Sequence, residues 1–359
     1  MRAAVIRTYQ ADLSFETVPD PICEADGVVV KVLACGICRS DWHGWMGEHP
    51  KVKPGAILGH EYSGEVVAVG PLARWKIGDK IIAPFILACG DCPECRSGQT
   101  TTCRAARVPG FGEPGAWAEY VSVPHAHNLT RLPDFLTPAL AAGLGCRVTT
   151  AYHALTGRAA LQAGEWLAIH GTGGIGLSAL LIGKALGARV IAVDVVPERL
   201  VHAKSLGAEV VINAAEGDIA ARIVAATQGG AHVSIEALGI EATANASIEC
   251  LRPLGRHVQV GLPTGHTATM QINMNAVYMK QLALFGTRGM PAWRYPSLLT
   301  LIETGRVDVR PIVARQVALS QATAELRAFN GPMPPGVAVI TKLLWLPPVV
   351  QEVSIRLRM

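Results

Sequence analysis

Between Val148 and Gly286 short apolar runs alternate with amphipathic stretches, and this alternation most narrows what the chain can fold into. The run at 166–171 reads as a buried strand, 174–186 as a helix, 189–194 as the next strand, 197–206 as a second helix and 210–212 as a third strand. Runs at 233–238, 257–262 and 282–286 complete the series. Strands and helices alternating at this spacing make βαβ units, so the expected fold class is α/β with a doubly wound parallel sheet.

The first strand–helix junction carries Gly171-Thr172-Gly173-Gly174-Ile175-Gly176, which fits G-x-G-x-x-G. In a chain with 37 glycines the pattern alone is permissive. Its context is not: it follows a strand, opens a helix, and Asp194 ends the next strand 23 residues after Gly171. The glycines allow a tight turn, and a helix N-terminus attracts a pyrophosphate. Two acceptor oxygens on Asp194 suit ribose hydroxyls, and its charge repels a 2′-phosphate. NAD is therefore expected over NADP.

Residues 1–147 have a different character, with Gly- and Pro-bearing turns between β-branched runs at 28–34, 65–70 and 80–85. After Gly286 the pattern is irregular again, with helices expected near 294–304 and 320–329 and a strand at 336–341. The reading is a mostly β domain built from 1–147 and 287–359, interrupted by a dinucleotide-binding domain at 148–286. At 359 residues, the chain is long enough for two domains of roughly 150 residues each.

Charged residues make up 17% of the chain and the formal net charge is +4, without a basic run, so no nucleic-acid partner is expected. No stretch reaches the ~18 apolar residues of a spanning helix, and the first ten residues lack a signal-peptide core, so no membrane partner and a cytoplasmic location are expected. In that compartment the nine cysteines argue for metal rather than disulfides.

Cys89, Cys92, Cys95 and Cys103 form C-x2-C-x2-C-x7-C within a polar loop, about 86–108. Four thiolates at that density supply a closed tetrahedral shell for a structural Zn²⁺. An iron–sulfur cluster and four reduced, buried thiols are the alternatives. Cys38, His60 and the isolated Cys146 would make a Cys2His set with one open position, the pattern of a catalytic zinc.

Gly59-His60-Glu61, with Gly64 and Gly70 following, resembles the signature of the zinc-containing alcohol dehydrogenases of the medium-chain dehydrogenase/reductase family. Cys38-Arg39-Ser40-Asp41-x-His43 is similar to that family's first metal segment, and the motif order agrees over about residues 1–342. The resemblance implies a GroES-like catalytic domain beside the Rossmann domain, and two zinc ions per chain. It implies that Cys38, His60 and Cys146 ligate the catalytic ion, with Glu61 close behind it and Asp41 orienting His60. Ser40 would bond the substrate hydroxyl, and His43 would end a proton relay.

By the same resemblance Arg39 faces the cofactor pyrophosphate, Thr150 and Ile175 pack behind the nicotinamide, and Arg199 lies near the adenosine ribose. Phe85 and Leu262 map to the substrate cleft, with Trp42 and Trp117 as further candidates. The implied reaction is reversible hydride transfer between a primary or secondary alcohol and NAD, giving an aldehyde or ketone. The implied assembly is a homodimer or homotetramer. A polyol or amino-alcohol dehydrogenase of the same family is the nearest alternative, and a non-enzymatic zinc-binding interaction protein is the alternative of a different class. The segment 343–359 extends past the resemblance and stands as an interface element or a frayed extension.

Overall fold

The computed structural model describes residues 1–331, 333 and 335–343. The tail reading for 344–359 lies outside the described residues.

The alternating segment folds as expected. Its strands form one six-stranded, all-parallel sheet, in the order Val210–Asn213, Arg189–Asp194, Trp166–His170, Ala231–Glu236, Leu251–Gln259 and Ala283–Gly286. From the Trp166–His170 strand the chain winds first one way, then the other. The order therefore reverses beside that strand's carboxyl end, where doubly wound sheets open a crevice. The strand is buried along its whole length, as a strand covered on both faces must be. Two boundaries differ from the sequence expectation: the fifth strand begins at Leu251 and ends at Gln259, and the fourth begins at Ala231.

The second sheet is mixed. Val28–Gly36 lies at its centre, antiparallel to Tyr62–Val69, Tyr120–Val123 and Val337–Lys342. Lys80–Ile82 and Thr130–Arg131 extend it on one side, and Val313–Ala318 on the other. Strands from near both ends of the chain thus complete one sheet around the parallel-sheet segment. The molecule combines a Rossmann domain with a GroES-like domain.

A helical run from Pro138 to Arg158 joins the sheets, and it widens into π-type turns at Leu144–Val148 and Ala154–Arg158. Its apolar residues share one core with both sides: Ala34, Ile82 and Val339 from the mixed sheet, and Leu167, Ile169 and Leu180 from the parallel one. That shared core fixes the two sheets across the cleft that runs between them. No helix among the described residues is long and apolar enough to cross a membrane.

Candidate active site

The Cys38 segment begins where the central strand of the mixed sheet ends. Cys38 caps the helix Arg39–Met46, and Asp41 accepts the Cys38 amide hydrogen at 2.8 Å, which closes the first turn. Ser40 and His43, three positions apart, fall on one face of this helix. Asp41 is fully buried and also accepts from the Gly59 amide at 3.2 Å. Its third bond is with His60 Nδ1 at 3.1 Å, leaving Nε2 to face the site. Gly59, before that histidine, has φ +97°, and a Cβ there would stand 2.4 Å from the Trp117 ring. Only glycine fits this approach.

The π-type turn at Leu144–Val148 brings the third segment in. Ligand atoms of Cys38, His60, Glu61 and Cys146 all lie within 4.8 Å of one another. Glu61 is fully buried; Arg147 Nη1 donates to its Oε2 at 2.6 Å, while its Oε1 has no hydrogen-bond partner. Arg147 also donates to the Ile37 carbonyl. Burial pushes the Glu61 carboxyl up to about 8, with Arg147 opposing. An unpartnered carboxylate oxygen costs free energy in such a place unless a cation meets it. Cys38 is held well below the usual thiol range by its hydrogen bond with Cys146, against burial, while Cys146 is held well above it, so the pair shares one proton. Burial opposes a charged His60, yet Asp41 keeps that imidazole well above its ordinary value. Two sulfurs, one imidazole nitrogen and an orphan carboxylate oxygen in this space form a zinc donor set.

The four-cysteine loop closes on itself. Cys92 Sγ lies 3.4 Å from Cys95 Sγ and 3.8 Å from Cys103 Sγ, and Cys103 Sγ lies 3.5 Å from Cys89 Sγ. Sulfurs bound at about 2.3 Å around one tetrahedral ion stand about 3.8 Å apart, so the shell fits a single zinc and leaves no room for a multi-iron cluster. Ala88, Cys95 and Cys103 are the only buried apolar residues of this lobe's cluster. The lobe has almost no core of its own.

A cavity of about 580 Å³ opens over the first donor set. Cys38, Ser40, His43, His60 and Cys146 line it, as do Phe85, Thr150, Ile175 and Leu262. Ser40 Oγ stands 3.8 Å from Cys38 Sγ. His43 bonds Glu48 through Nδ1 at 2.6 Å and reaches Thr264 Oγ1 at 3.4 Å. Thr150 Oγ1 accepts from the Gly289 amide at 3.2 Å.

A second cavity, about 440 Å³, runs along the glycine-rich loop, lined by Arg39, Thr172, Gly173, Gly174, Ile175, Gly176 and Arg199. A Cβ on Gly176 would stand 1.9 Å from the Gly171 carbonyl oxygen, whereas one on Gly173 would meet nothing within 4 Å. The loop is tight beneath and open above, as a backbone cradle for a pyrophosphate requires.

Three placements amend the sequence reading. Asp194 is buried, and its first partners are protein: Thr172 donates its amide and hydroxyl hydrogens to Oδ2, both at 2.8 Å, and the Val196 amide donates to Oδ1 at 3.0 Å. Carboxylate oxygens offer about four acceptor directions, so capacity for a ribose remains. Arg199 Nη1 lies 3.8 Å from the same carboxylate. Neither tryptophan lines the cleft: Trp117 is fully buried against Gly59, and Trp42 donates to Asn330 at 2.8 Å and lies under the Arg39 guanidinium.

Sequence reasoning missed His49, Phe111 and Arg288, and Gln99, Thr101 and Thr102 from the four-cysteine lobe, all of which line the larger cavity. Only Arg288 carried a signal, since it follows the carboxyl end of the last parallel strand, where ligands bind.

Comparison with known proteins agrees with this construction. Residues 24–134 match the alcohol dehydrogenase GroES-like domain, and residues 174–304 match the zinc-binding dehydrogenase domain. An alcohol dehydrogenase of Geobacillus stearothermophilus is 36% identical over 92% of this chain and 94% of its own length. The structure of an alcohol dehydrogenase from Thermus sp. ATN1 superposes with a TM-score of 0.88 at 32% identity, over 95% of this chain and all (100%) of that one. An acetophenone reductase from Geotrichum candidum, solved with NAD, gives a TM-score of 0.84 at 25% identity over 95% of this chain and 98% of the other. With these matches, two zinc-competent donor sets and a dinucleotide cradle in one fold, the chain belongs to the zinc-type alcohol dehydrogenases of the medium-chain dehydrogenase/reductase family.

Proposed function

We propose that the Cys38–His60–Cys146 centre oxidises a primary or secondary alcohol to an aldehyde or ketone, reversibly, with NAD. One observation carries this: the only described donor set with an open side lies at the floor of the cavity that Ile175 of the dinucleotide loop also lines. When bound, the zinc ion supplies a Lewis acid that acidifies an oxygen ligand, and NAD supplies the hydride acceptor.

The chain's residues do the rest. Cys38, His60 and Cys146 hold the ion, and Asp41 fixes the imidazole so that Nε2 points inward. Glu61 stands behind with one free oxygen, and Arg147 balances its charge. Ser40 accepts the substrate hydroxyl's hydrogen bond and holds the proton at Oγ. His43, on the same helix face and bonded to the partly exposed Glu48, delivers a proton to solvent. Thr150 and Ile175 support the nicotinamide from behind; Phe85 and Leu262 narrow the cleft and exclude water. Arg39 and the loop from Gly171 to Gly176 hold the pyrophosphate, and Asp194 and Arg199 the ribose.

The NAD preference rests on Asp194. Asp194→Gly is expected to raise KM for NAD and move the NADP-to-NAD ratio of kcat/KM by about 10- to 100-fold, because a charged hydrogen-bonding group is lost and Arg199 is left to meet a 2′-phosphate. Steady-state kinetics with both cofactors measure it, and an unmoved ratio would contradict the assignment.

All nine cysteines are free thiols, which supports a reducing, cytoplasmic setting. The parallel sheet ends in an edge strand, Ala283–Gly286, with Leu284, Tyr278 and Met279 exposed nearby, which supports a homodimer or homotetramer. Metal analysis together with NAD reduction over a panel of primary and secondary alcohols, sorbitol and threonine tests the whole reading. Two zinc ions per chain and turnover of simple alcohols are expected. One ion or none, or turnover confined to sorbitol or threonine, would replace it.

A further inference from the structure

Arg288 projects into the larger cavity from the loop after the strand Ala283–Gly286. Its guanidinium carbon lies 5.6 Å from the centre of the Phe85 ring, and that ring stands 5.8 Å from the ring of His60. The cation is thus one small molecule away from a residue of the zinc donor set. The loop is held firmly, since the Gly289 amide donates to Thr150 Oγ1 at 3.2 Å. Among the described residues no carboxylate lies within ion-pair distance of Arg288, and no Asp or Glu lines this cavity. Every other arginine lining either cavity over the cofactor crevice has a visible task or an outward position: Arg39 donates to the Phe329 carbonyl at 2.6 Å, Arg147 pairs with Glu61, Arg199 donates to the Met333 carbonyl at 3.0 Å, and Arg158 is exposed beside Phe285.

His49 lines the same space. The Lys51 amide donates to its Nδ1 at 3.3 Å, which puts the ring proton on Nε2. Burial, then Arg288, pushes this imidazole down to about 4, so it is neutral and donates one hydrogen bond. A guanidinium with no anionic partner beside a neutral N–H donor is a receptor for an anion.

The cofactor's phosphates do not supply that anion. The cradle for them, with Arg39 and Arg199, lines the second cavity, and Arg288 does not. What reaches Arg288 is the other occupant of the cleft. We infer that the alcohol substrate carries a carboxylate a few atoms from its hydroxyl, and that Arg288, with His49, binds it. A carboxylate is favoured over a phosphate ester because one cation and one neutral donor match a single negative charge, whereas a phosphate monoester carries about −1.5 to −2. The inference rests on the alcohol dehydrogenase reading above and narrows its substrate class to hydroxy acids and their oxo acids.

The test compares 4-hydroxybutanoate, its methyl ester and 3-hydroxypropyl phosphate with the zinc-loaded enzyme and NAD, in the wild type, Arg288→Met and Arg288→Lys. Thermal unfolding first verifies that each variant is folded. The wild type should prefer the hydroxy acid over its ester by about 10- to 100-fold in kcat/KM, the range expected of a hydrogen-bonded charge pair. Arg288→Met should bring that ratio close to one, mainly through KM for the acid, and Arg288→Lys should keep part of it. Calorimetric titration of 4-hydroxybutanoate into the enzyme with NADH should show the same ranking without turnover. Turnover of the ester with no preference for the acid would overturn the inference and leave the alcohol dehydrogenase reading standing. So would a preference for the phosphate, an equal loss for acid and ester in Arg288→Met, or a rise confined to KM for NAD. Absence of turnover with every alcohol tested would overturn both.

Discussion

Cys38→Ala and His60→Ala are each expected to lower kcat/KM for an alcohol by at least about 10³-fold, equivalent to ~4 kcal/mol of lost transition-state stabilisation. The reason lies in the donor set. Each substitution removes one of three protein ligands from a site whose remaining donor, Glu61, is already tied to Arg147 at 2.6 Å. Metal content should fall from two ions per chain towards one, because the four-cysteine shell is separate. The two variants should differ in stability. Cys38→Ala removes a small thiol whose backbone amide still bonds Asp41. His60→Ala leaves the fully buried Asp41 carboxylate with only its two amide donors, from Cys38 and Gly59. A partner lost from a buried carboxylate costs about 1–3 kcal/mol. Metal analysis, kinetics and thermal unfolding on the same samples separate these effects. Wild-type turnover in Cys38→Ala would remove this centre from the reaction.

The largest expected effect on stability belongs to the other shell. Cys103→Ala should lower Tm by about 6–12 °C, taking a loss of order 3 kcal/mol and about 2–4 °C per kcal/mol for a protein of this size class. Cys103 Sγ is 3.5 Å from Cys89 Sγ and 3.8 Å from Cys92 Sγ, so its loss opens the tetrahedron. The lobe cannot compensate, because its apolar cluster consists of little more than the ligands themselves. The same variant should also raise KM for the alcohol. Gln99, Thr101 and Thr102 of this lobe line the larger cavity, and the lobe is tied to the rest of the fold where Trp293 Nε1 donates to the Gly98 carbonyl at 2.9 Å. Differential scanning calorimetry with and without a chelator, and kinetics on the folded fraction, measure both. An unchanged Tm would mean that the lobe folds without its metal.

Much of this molecule was legible before folding. The parallel sheet follows from period and length: apolar strands of four to nine residues separated by helices leave few arrangements that bury both faces of a sheet. The glycine-rich turn was legible because its context is local, lying between one strand and the next helix. The four-cysteine shell was legible because its ligands fall within fifteen residues, close enough for spacing alone to bring them together. Cys146 is a different case. Nothing in its neighbourhood marks it as a ligand, and it was reached through resemblance; the π-type turn that presents it is invisible in apolar periodicity.

The centre that opened the sequence argument, the strand–turn–helix of the dinucleotide cradle, changed meaning least on folding, yet one of its residues changed role. Asp194 was read as a ribose ligand; in the fold it also locks Thr172, and so the loop itself. Residues far apart in the chain account for what sequence left out. Phe85, Arg288 and His49 meet only because a loop at the end of the last parallel strand reaches across to the mixed sheet, and no pattern along the chain encodes a contact between positions some 200 residues apart. The sequence by itself determined the fold class, the dinucleotide and the metal chemistry, because repeating hydrophobicity and ligand spacing are properties of neighbours. The tertiary structure decided what surrounds the open metal site, because the charge and shape of a cleft are set by side chains that only the packing of two sheets brings face to face.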